Sequence, residues 1–137
     1  MEALFIFNRR LQLLVIFQLL RILYMALSIK TITDLHNYFS GVMSRANHHA
    51  NNVNEVILTI IGGVIWKSTE DFQVRTIRNE TANVLWMIVN HKRYCFKYNH
   101  ERDEIQVCKN SHRGEVVMTF TNNTNAKEVK NFFVQLN

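Results

Sequence analysis

Apolar residues recur at the spacing of an amphipathic helix in three stretches of the chain. In the first, which follows Thr31 and Thr33, they occupy positions i, i+3, i+4, i+7 and i+8, the repeat of a single helical face. These positions are Leu35, Tyr38, Phe39, Val42 and Met43. The opposite face carries His36, Asn37, Ser44 and Arg45, and the polar turn formers of residues 47–51 mark the expected end.

A second helix is predicted from Asn52, because Asn52 and Glu55 have the spacing of a capping box. The β-branched content and Gly62-Gly63 favour a strand instead. Helix is preferred since seven apolar positions keep the helical period: Val53, Val56, Ile57, Ile60, Ile61, Val64 and Ile65. Thr59 and Gly63 leave a shallow strip for another backbone, either in a second copy or inside the monomer.

The third helix is at the C-terminus. Asn125 and Glu128 have the spacing of another capping box. An apolar face follows at i, i+3, i+4 and i+7, formed by Val129, Phe132, Phe133 and Leu136.

Between the second and third helices the apolar period changes to two. Five short runs follow one another with turn-forming residues between them, which predicts an antiparallel meander. The runs are residues 72–78, 84–89, 94–98, 105–109 and 116–121. The predicted fold is α+β: two N-terminal helices, a five-stranded antiparallel meander and a C-terminal helix, with the helices packed on one sheet face.

Three turns, at residues 79–82, 90–93 and 101–102, set a trial register for these strands. In all three hairpins this register places the same alternate residues of each strand on the same side of the sheet. The agreement matters because a slip of one residue would turn every side chain of a strand to the opposite side. The implied neighbours are Tyr98 with Ile105, Cys95 with Cys108, Phe96 with Val107 and with Met87, Trp86 with Lys97 and with Arg75, and Val74 with Met87.

This register separates an apolar face from a mixed one. The apolar face, expected to meet the helices, contains Phe72, Val74, Leu85, Met87, Val89, Tyr94, Phe96, Tyr98, Ile105 and Val107. The opposite face, called here the outer face, combines cations with apolar residues. Since small monomers rarely leave such a patch in water, the predicted binding or interface residues are Arg75, Ile77, Val84, Trp86, Ile88 and Lys97.

The outer face has three interpretations. A homodimer ranks first, because Trp and Arg are enriched at interfaces and a two-fold axis buries the same patch twice. A small amphipathic ligand ranks second. Single-stranded nucleic acid ranks third, because Trp86 alone offers little surface on which bases can stack.

Residues 1–24 form an apolar leader in which Glu2 is the sole acid. Its longest uncharged run, residues 11–20, is short beside the ~20 apolar residues of a spanning helix, and Arg21 interrupts it. The leader is a signal or membrane segment, a membrane-surface helix, a packed helix, or a start-site artefact with translation from Met25. Residues 25–137 are expected to form a single α+β domain, with membrane contact only if the leader is genuine.

Composition limits the classes of protein to which this chain can belong. The 137 residues with 47% hydrophobic content suit one globular domain. The net charge of +5 comes without a basic run that could track phosphates. Two cysteines make no disulfide framework, which favours a reducing cytoplasm. Cys95 and Cys108 are either a strained cross-strand disulfide or two small buried side chains, and we favour the second.

Candidate chemistry is sparse. The six histidines lack metal-ligand spacing, and the neighbouring pair His48-His49 is expected in a polar loop. Gly62-Gly63 is not a phosphate loop, and the Ser nucleophile and dinucleotide motifs do not occur. We therefore predict no catalytic residue, no metal and no cofactor.

The segment from Phe120 to Leu136, FTNNTNAKEVKNFFVQL, is an Asn/Thr-rich turn leading into a short Val/Phe-faced helix. With the size from Met25 and the α+β layout, it resembles the small orphan proteins of integron gene cassettes. The resemblance implies a mobile, accessory, cytoplasmic bacterial protein, often oligomeric. We predict a non-catalytic binding module, a homodimer using the Trp86 sheet face for self-association or small-ligand binding. The alternative is a small toxin or a single-stranded nucleic-acid-binding protein.

Overall fold

A computed structural model of the chain describes the backbone of residues 2–23, 26–77 and 80–137 and the side chains of residues 9–19, 27–75 and 84–137. Its elements, in chain order, are α1 (Glu2–Leu23), β1 (Ala26–Ser28), α2 (Ile32–His49), α3 (Val56–Lys67), β2 (Gln73–Ile77), β3 (Glu80–Val89), β4 (Lys92–Asn99), β5 (Glu104–Lys109), β6 (Val116–Phe120) and α4 (Ala126–Gln135). The predicted α+β class is confirmed.

The strands form one antiparallel sheet in the order β1-β2-β3-β4-β5-β6. The described part of the chain thus has six strands rather than the five predicted. The additional strand, β1, pairs with β2 through Leu27 and Val74. It is only three residues long, too short to show an alternating pattern in the sequence.

The predicted pairing of β4 with β5 is confirmed: Cys95 lies opposite Cys108, and Phe96 opposite Val107. The β3–β4 register was wrong by two residues, because the turn consists of Asn90 and His91 alone. Both residues have positive φ angles, 48° and 70°, as a tight two-residue hairpin turn requires.

The predicted register of β2 with β3 was also wrong by two residues. Trp86 lies opposite Cys95 and Gln73 instead of Lys97 and Arg75. A β-bulge between Val74 and Thr76 adds a further irregularity. Because the slip is an even number of residues, each strand still presents the predicted face to the helices.

Helices α2, α3 and α4 pack on that apolar face. Val74, Met87 and Val107 on the sheet are fully buried in one cluster with the helix residues. Phe96 of β4 stacks on Phe133 of α4 with ring centroids 6.0 Å apart. Burial of this apolar surface is the main source of the fold's stability.

The N-termini of α2 and α4 are capped locally. Thr31 and Asp34 form a capping box on α2, and Asn125 and Glu128 form one on α4. The α4 box confirms the prediction. In both helices the acidic side chain also interacts favourably with the helix dipole.

Helix α3 begins at Val56, four residues later than predicted, and the expected Asn52–Glu55 capping box does not form. Its cap comes from a distant residue. Asn122 Oδ1 accepts hydrogen bonds from the amides of Glu55 and Val56, at 3.0 and 3.1 Å. The Asn52 side chain is used elsewhere and donates to the Asp103 carbonyl at 2.9 Å.

The shallow strip at Gly63 is occupied by a side chain of the same chain. A Cβ atom at Gly63 would overlap the Phe133 ring, so α4 packs directly on the α3 backbone. Close packing inside the monomer, the second interpretation of the strip, therefore accounts for Gly63.

The described side chains of α1, residues 9–19, are exposed, and Phe17 reaches 72%. Within the described ranges, none of the helices combines the length and apolarity needed to cross a membrane. Met25, the alternative start, lies outside the described residues.

Candidate functional site

A cavity of about 210 Å³ lies between the helices and the apolar face of the sheet. Helices α2 and α3 form one wall, and β3, β4 and β5 form the other. The cavity lining is mostly aliphatic, because the apolar faces of α2, α3 and the sheet point into the cavity. The apolar lining residues are Val42, Ala46, Ala50, Val53, Ile57, Ile60, Ile61, Val64, Leu85, Phe96 and Ile105.

Polar side chains line the cavity beside the C-terminal half of α2. Arg45 and His49, four residues apart on α2, contribute from the helix, and His100 contributes from the β4–β5 turn. The hydrogen bond from Asn52 to Asp103 joins the segment after α2 to that turn. This bond holds the end of α2, which carries His49, near the turn that carries His100, and both histidines are exposed.

Arg45 brings a formal positive charge into this lining. Its Nε and Nη2 atoms are buried, and its charge acts on the neighbouring Tyr38 hydroxyl. Burial raises the pKa of Tyr38, and the Arg45 charge opposes that increase by stabilising the phenolate. Among the described residues, the lining contains no Asp or Glu.

The β4–β5 turn is fixed around Tyr98, another lining residue. The Tyr98 hydroxyl donates to the Asp103 carboxylate, and the His100 ring packs edge-on against Tyr98 at 4.6 Å between centroids. The bond to Asp103, with smaller contributions from burial and the carboxylate charge, raises the pKa of Tyr98 to about 12. These two contacts hold the β4–β5 turn in place beside the cavity.

The predicted site residues with described side chains lie together on the other side of the sheet, and one of them, Lys97, also contributes to the cavity lining. Among the six, Arg75, Val84, Trp86, Ile88 and Lys97 are half-buried on the outer face. Ile77 is the last residue of β2, and its side chain lies outside those that the structure describes. The alternation of residues along the strands therefore predicted which side chains share this face, although the residues paired across the strands differ from those predicted.

Residues absent from the prediction cover part of the outer face. Arg93 lies over the Trp86 ring, with its Cζ atom 5.1 Å from the centroid. The β5–β6 loop approaches Lys97, whose Nζ donates to the His112 carbonyl at 2.6 Å. The apolar patch is therefore smaller than the alternation suggested.

The outer face is also strongly basic near that loop. Burial, followed by the charges of Arg75, Arg113 and Lys97, lowers the pKa of His112. Three cations close enough to act on one imidazole give this region a positive potential.

Cys95 and Cys108 are free, buried side chains on the outer face, which confirms the preferred interpretation of the pair. Burial, together with the Cys108 charge, raises the pKa of Cys95 to about 11 despite nearby cations. A protonated, buried thiol is a poor nucleophile. The described side chains also offer no group of three metal ligands.

Sequence reasoning missed the polar residues of the cavity. Arg45 was placed on the solvent face of its helix, and His49 in a loop. The signal was present, because Tyr38, Val42, Arg45, Ala46 and His49 continue the same helical repeat. The apolar members of the repeat alone do not reveal these polar positions.

The comparison with protein families confirms the resemblance carried by residues 120–136. A family model described as "Integron cassette protein VCH_CASS1 chain" matches residues 35–130, more than half of the 137-residue chain. That range contains the cavity-lining residues, from Tyr38 to Ile105. No curated protein matches the chain. The chain therefore belongs to this family of integron cassette proteins.

Proposed function

We propose that this protein is a non-catalytic accessory binding module, and that its site for a small amphipathic ligand is the cavity between α2, α3 and the sheet. One observation carries the proposal: a mostly aliphatic cavity of about 210 Å³ whose lining also includes Arg45, Lys97, His49 and His100. Binding pockets typically combine such an apolar lining with a few polar groups that orient the ligand.

The cavity volume limits the ligand to a compact molecule. An apolar cavity of about 150 Å³ is enough to hold benzene, and this one is about 210 Å³. Drug-sized ligands need roughly 300 Å³ or more. The volume therefore suits a short aliphatic chain or one substituted ring.

Titration calorimetry with 1-octanol and octanoate tests the proposal. Saturable binding of at least one compound is expected, and Ala46→Phe should abolish it by filling the cavity beside this buried position. Ser44→Phe is the matched control on the exposed side of α2. Circular dichroism checks that both variants fold. No binding to the wild type, or equal binding to both variants, would refute the cavity as the site.

Homodimerisation through the Trp86 sheet face is the second proposal. It is supported by Val84, Trp86 and Ile88, apolar side chains that are half-buried on the outer face of a single chain. Because Arg93 and Lys97 lie beside them, two copies would repel at low salt, and added salt should strengthen association.

Sedimentation at micromolar concentration tests the dimer. Trp86→Asp should give a folded monomer, whereas Trp66→Asp, at an exposed position of α3, should leave a dimer intact. A wild-type protein that sediments as a monomer at both low and high salt would contradict the proposal.

The cation cluster on the outer face supports the alternative of single-stranded nucleic-acid binding. Arg75, Lys97 and Arg113 all act on His112, and basic surfaces bind phosphates in a salt-dependent manner. Retardation of single-stranded RNA that weakens steeply with salt is the expected sign. Failure to retard RNA at low salt would exclude this alternative.

A further inference from the structure

We propose that helix α1 binds the surface of a bilayer that contains anionic lipids, and that it lies in the boundary between the head groups and the acyl chains. This binding is independent of the cavity and gives a partner to a helix whose described side chains are left outside the core. It follows from the exposure of those side chains, from their distribution around the helix and from the charges beside them.

The described side chains of α1, residues 9–19, are all exposed. Seven of them are large and apolar, and each has 50–72% of its surface exposed: Leu11, Leu13, Leu14, Val15, Ile16, Phe17 and Leu19. Among the described residues, the core cluster begins only at Ile29. Because single chains rarely leave so continuous an apolar surface in water, α1 is expected to be covered by a partner.

The apolar side chains surround α1 instead of forming a stripe along it. The segment from Leu13 to Phe17 consists of five consecutive apolar residues, and at about 3.6 residues per turn these point to all sides of the helix. A second copy of the chain would pack on one side of α1 and leave the other sides in water. Acyl chains can surround a helix that is immersed among them, so lipid suits this surface better than a packed helix does.

The apolar stretch is short and has a cation at each end. Residues 11–20 carry no charged side chain, and at ~1.5 Å per residue they extend about 15 Å, half the thickness of a hydrocarbon core. Arg10 precedes this stretch and Arg21 follows it. A helix with arginines at both ends is expected to lie along the membrane surface, because long arginine stems let the charged groups reach the head groups.

The charge of α1 selects the kind of membrane. Its residues include Arg9, Arg10 and Arg21 against the single acid Glu2, and the Arg10 side chain is exposed beside the apolar stretch. Anionic lipids give a membrane surface a negative potential that attracts such cations. Apolar burial and charge attraction therefore act together on an anionic bilayer, whereas a zwitterionic bilayer offers burial alone.

Vesicle flotation of the full chain tests the proposal, because it separates membrane-bound protein from aggregates. The vesicles contain phosphatidylcholine alone or an equimolar mixture with phosphatidylglycerol. The chain should float with the mixed vesicles and bind them roughly tenfold more tightly than phosphatidylcholine alone. Raising NaCl from about 0.05 to 0.5 M should reduce this preference by screening the charges. Part of the binding should persist, because apolar burial does not depend on that attraction.

Point variants assign the binding to α1. Phe17→Asp places a charge within the apolar stretch and should weaken binding to the mixed vesicles roughly tenfold or more. Ile32→Asp is the matched control at an exposed apolar position of α2 and should leave the binding unchanged. Arg10→Gln should weaken binding to the mixed vesicles only, whereas Arg113→Gln, an equal loss of charge in the exposed β5–β6 loop, should have a smaller effect. Circular dichroism checks the fold of each variant.

Three results would overturn the proposal. The first is a wild-type chain that does not float with the mixed vesicles at low salt. The second is binding that Arg113→Gln weakens and Phe17→Asp leaves unchanged, because the basic outer face would then carry it. The third is self-association in solution that Phe17→Asp abolishes, without flotation of the wild type, since a second copy of the chain would then cover α1.

Discussion

Two adjacent glycines of α3 have opposite surroundings. Gly63 lies against the Phe133 ring, whereas a Cβ atom at Gly62 would meet nothing within 4 Å. A glycine in the middle of a helix lowers stability by roughly 1 kcal/mol relative to alanine, so the presence of each glycine calls for a structural reason. Packing supplies that reason for Gly63, and the described chain supplies none for Gly62.

Gly63→Ala is therefore expected to lower the free energy of unfolding by about 1–3 kcal/mol, because the buried Phe133 ring must move. Gly62→Ala is the matched control and should raise it by up to about 1 kcal/mol. Urea unfolding of both variants makes the measurement. Equal effects of the two substitutions would mean that α4 does not pack on Gly63.

The thiol of Cys95 is expected to be inert in the folded protein. With a pKa of about 11, it is almost wholly protonated at pH 8, so alkylation should be at least ~100-fold slower than in denaturant. Its rate should rise as pH increases toward 11. Mass spectrometry of peptides from the labelled wild-type protein distinguishes Cys95 from Cys108; rapid labelling of Cys95 in the folded protein would contradict the prediction.

At the scale of elements, α3 depends on a residue 66 positions away. Besides capping Glu55 and Val56, Asn122 donates to the Asn51 carbonyl and to Asn54 Oδ1, at 2.9 and 2.8 Å. One side chain thus ties the β6–α4 connection to the start of α3. Such a group contributes more than an ordinary local cap.

Asn122→Ala should lower the free energy of unfolding by about 2 kcal/mol, compared with about 1 kcal/mol for Asn125→Ala at the local cap of α4. Asn122→Asp retains the acceptor for the α3 amides and should fall between wild type and Asn122→Ala. Chemical denaturation ranks the three variants. An Asn122→Ala loss no larger than that of Asn125→Ala would refute the long-range cap.

Sequence patterns predicted the parts of these elements that depend on local periodicity. The faces of β3, β4 and β5 followed from alternation, and the box at Asn125 followed from spacing within one turn. The register of β3 did not, because it depends on the positive φ angles of Asn90 and His91. The α3 cap could not be predicted either, because Asn122 is remote from α3 in sequence.

The cavity could not be predicted because it arises from the separation between α2 and the sheet. Residues such as Val42 and Ile57 read as ordinary core positions in either case. Arg45 gave a partial signal through its place in the Tyr38 repeat, but periodicity does not distinguish a filled interior from a hollow one. The predicted site was therefore the outer face, and the internal cavity was missed.

For the whole molecule, the described part of α1 contributes little buried surface. Its apolar side chains from Leu11 to Leu19 are exposed, while the core cluster runs from Ile29 to Leu136. A chain that begins at Met25 should therefore fold, with a thermal midpoint within a few degrees of the full chain and less aggregation. Scanning calorimetry makes the comparison; failure of the shortened chain to fold would show that α1 is structural.

Methyl NMR during an octanoate titration shows whether the cavity binds a small amphipathic ligand. Saturable shifts are expected at the cavity methyls of Val53, Ile57 and Ile60, with the outer-face methyls of Val84 and Ile88 unchanged. Saturable shifts confined to Val84 and Ile88, or none at the cavity methyls, would contradict binding in the cavity.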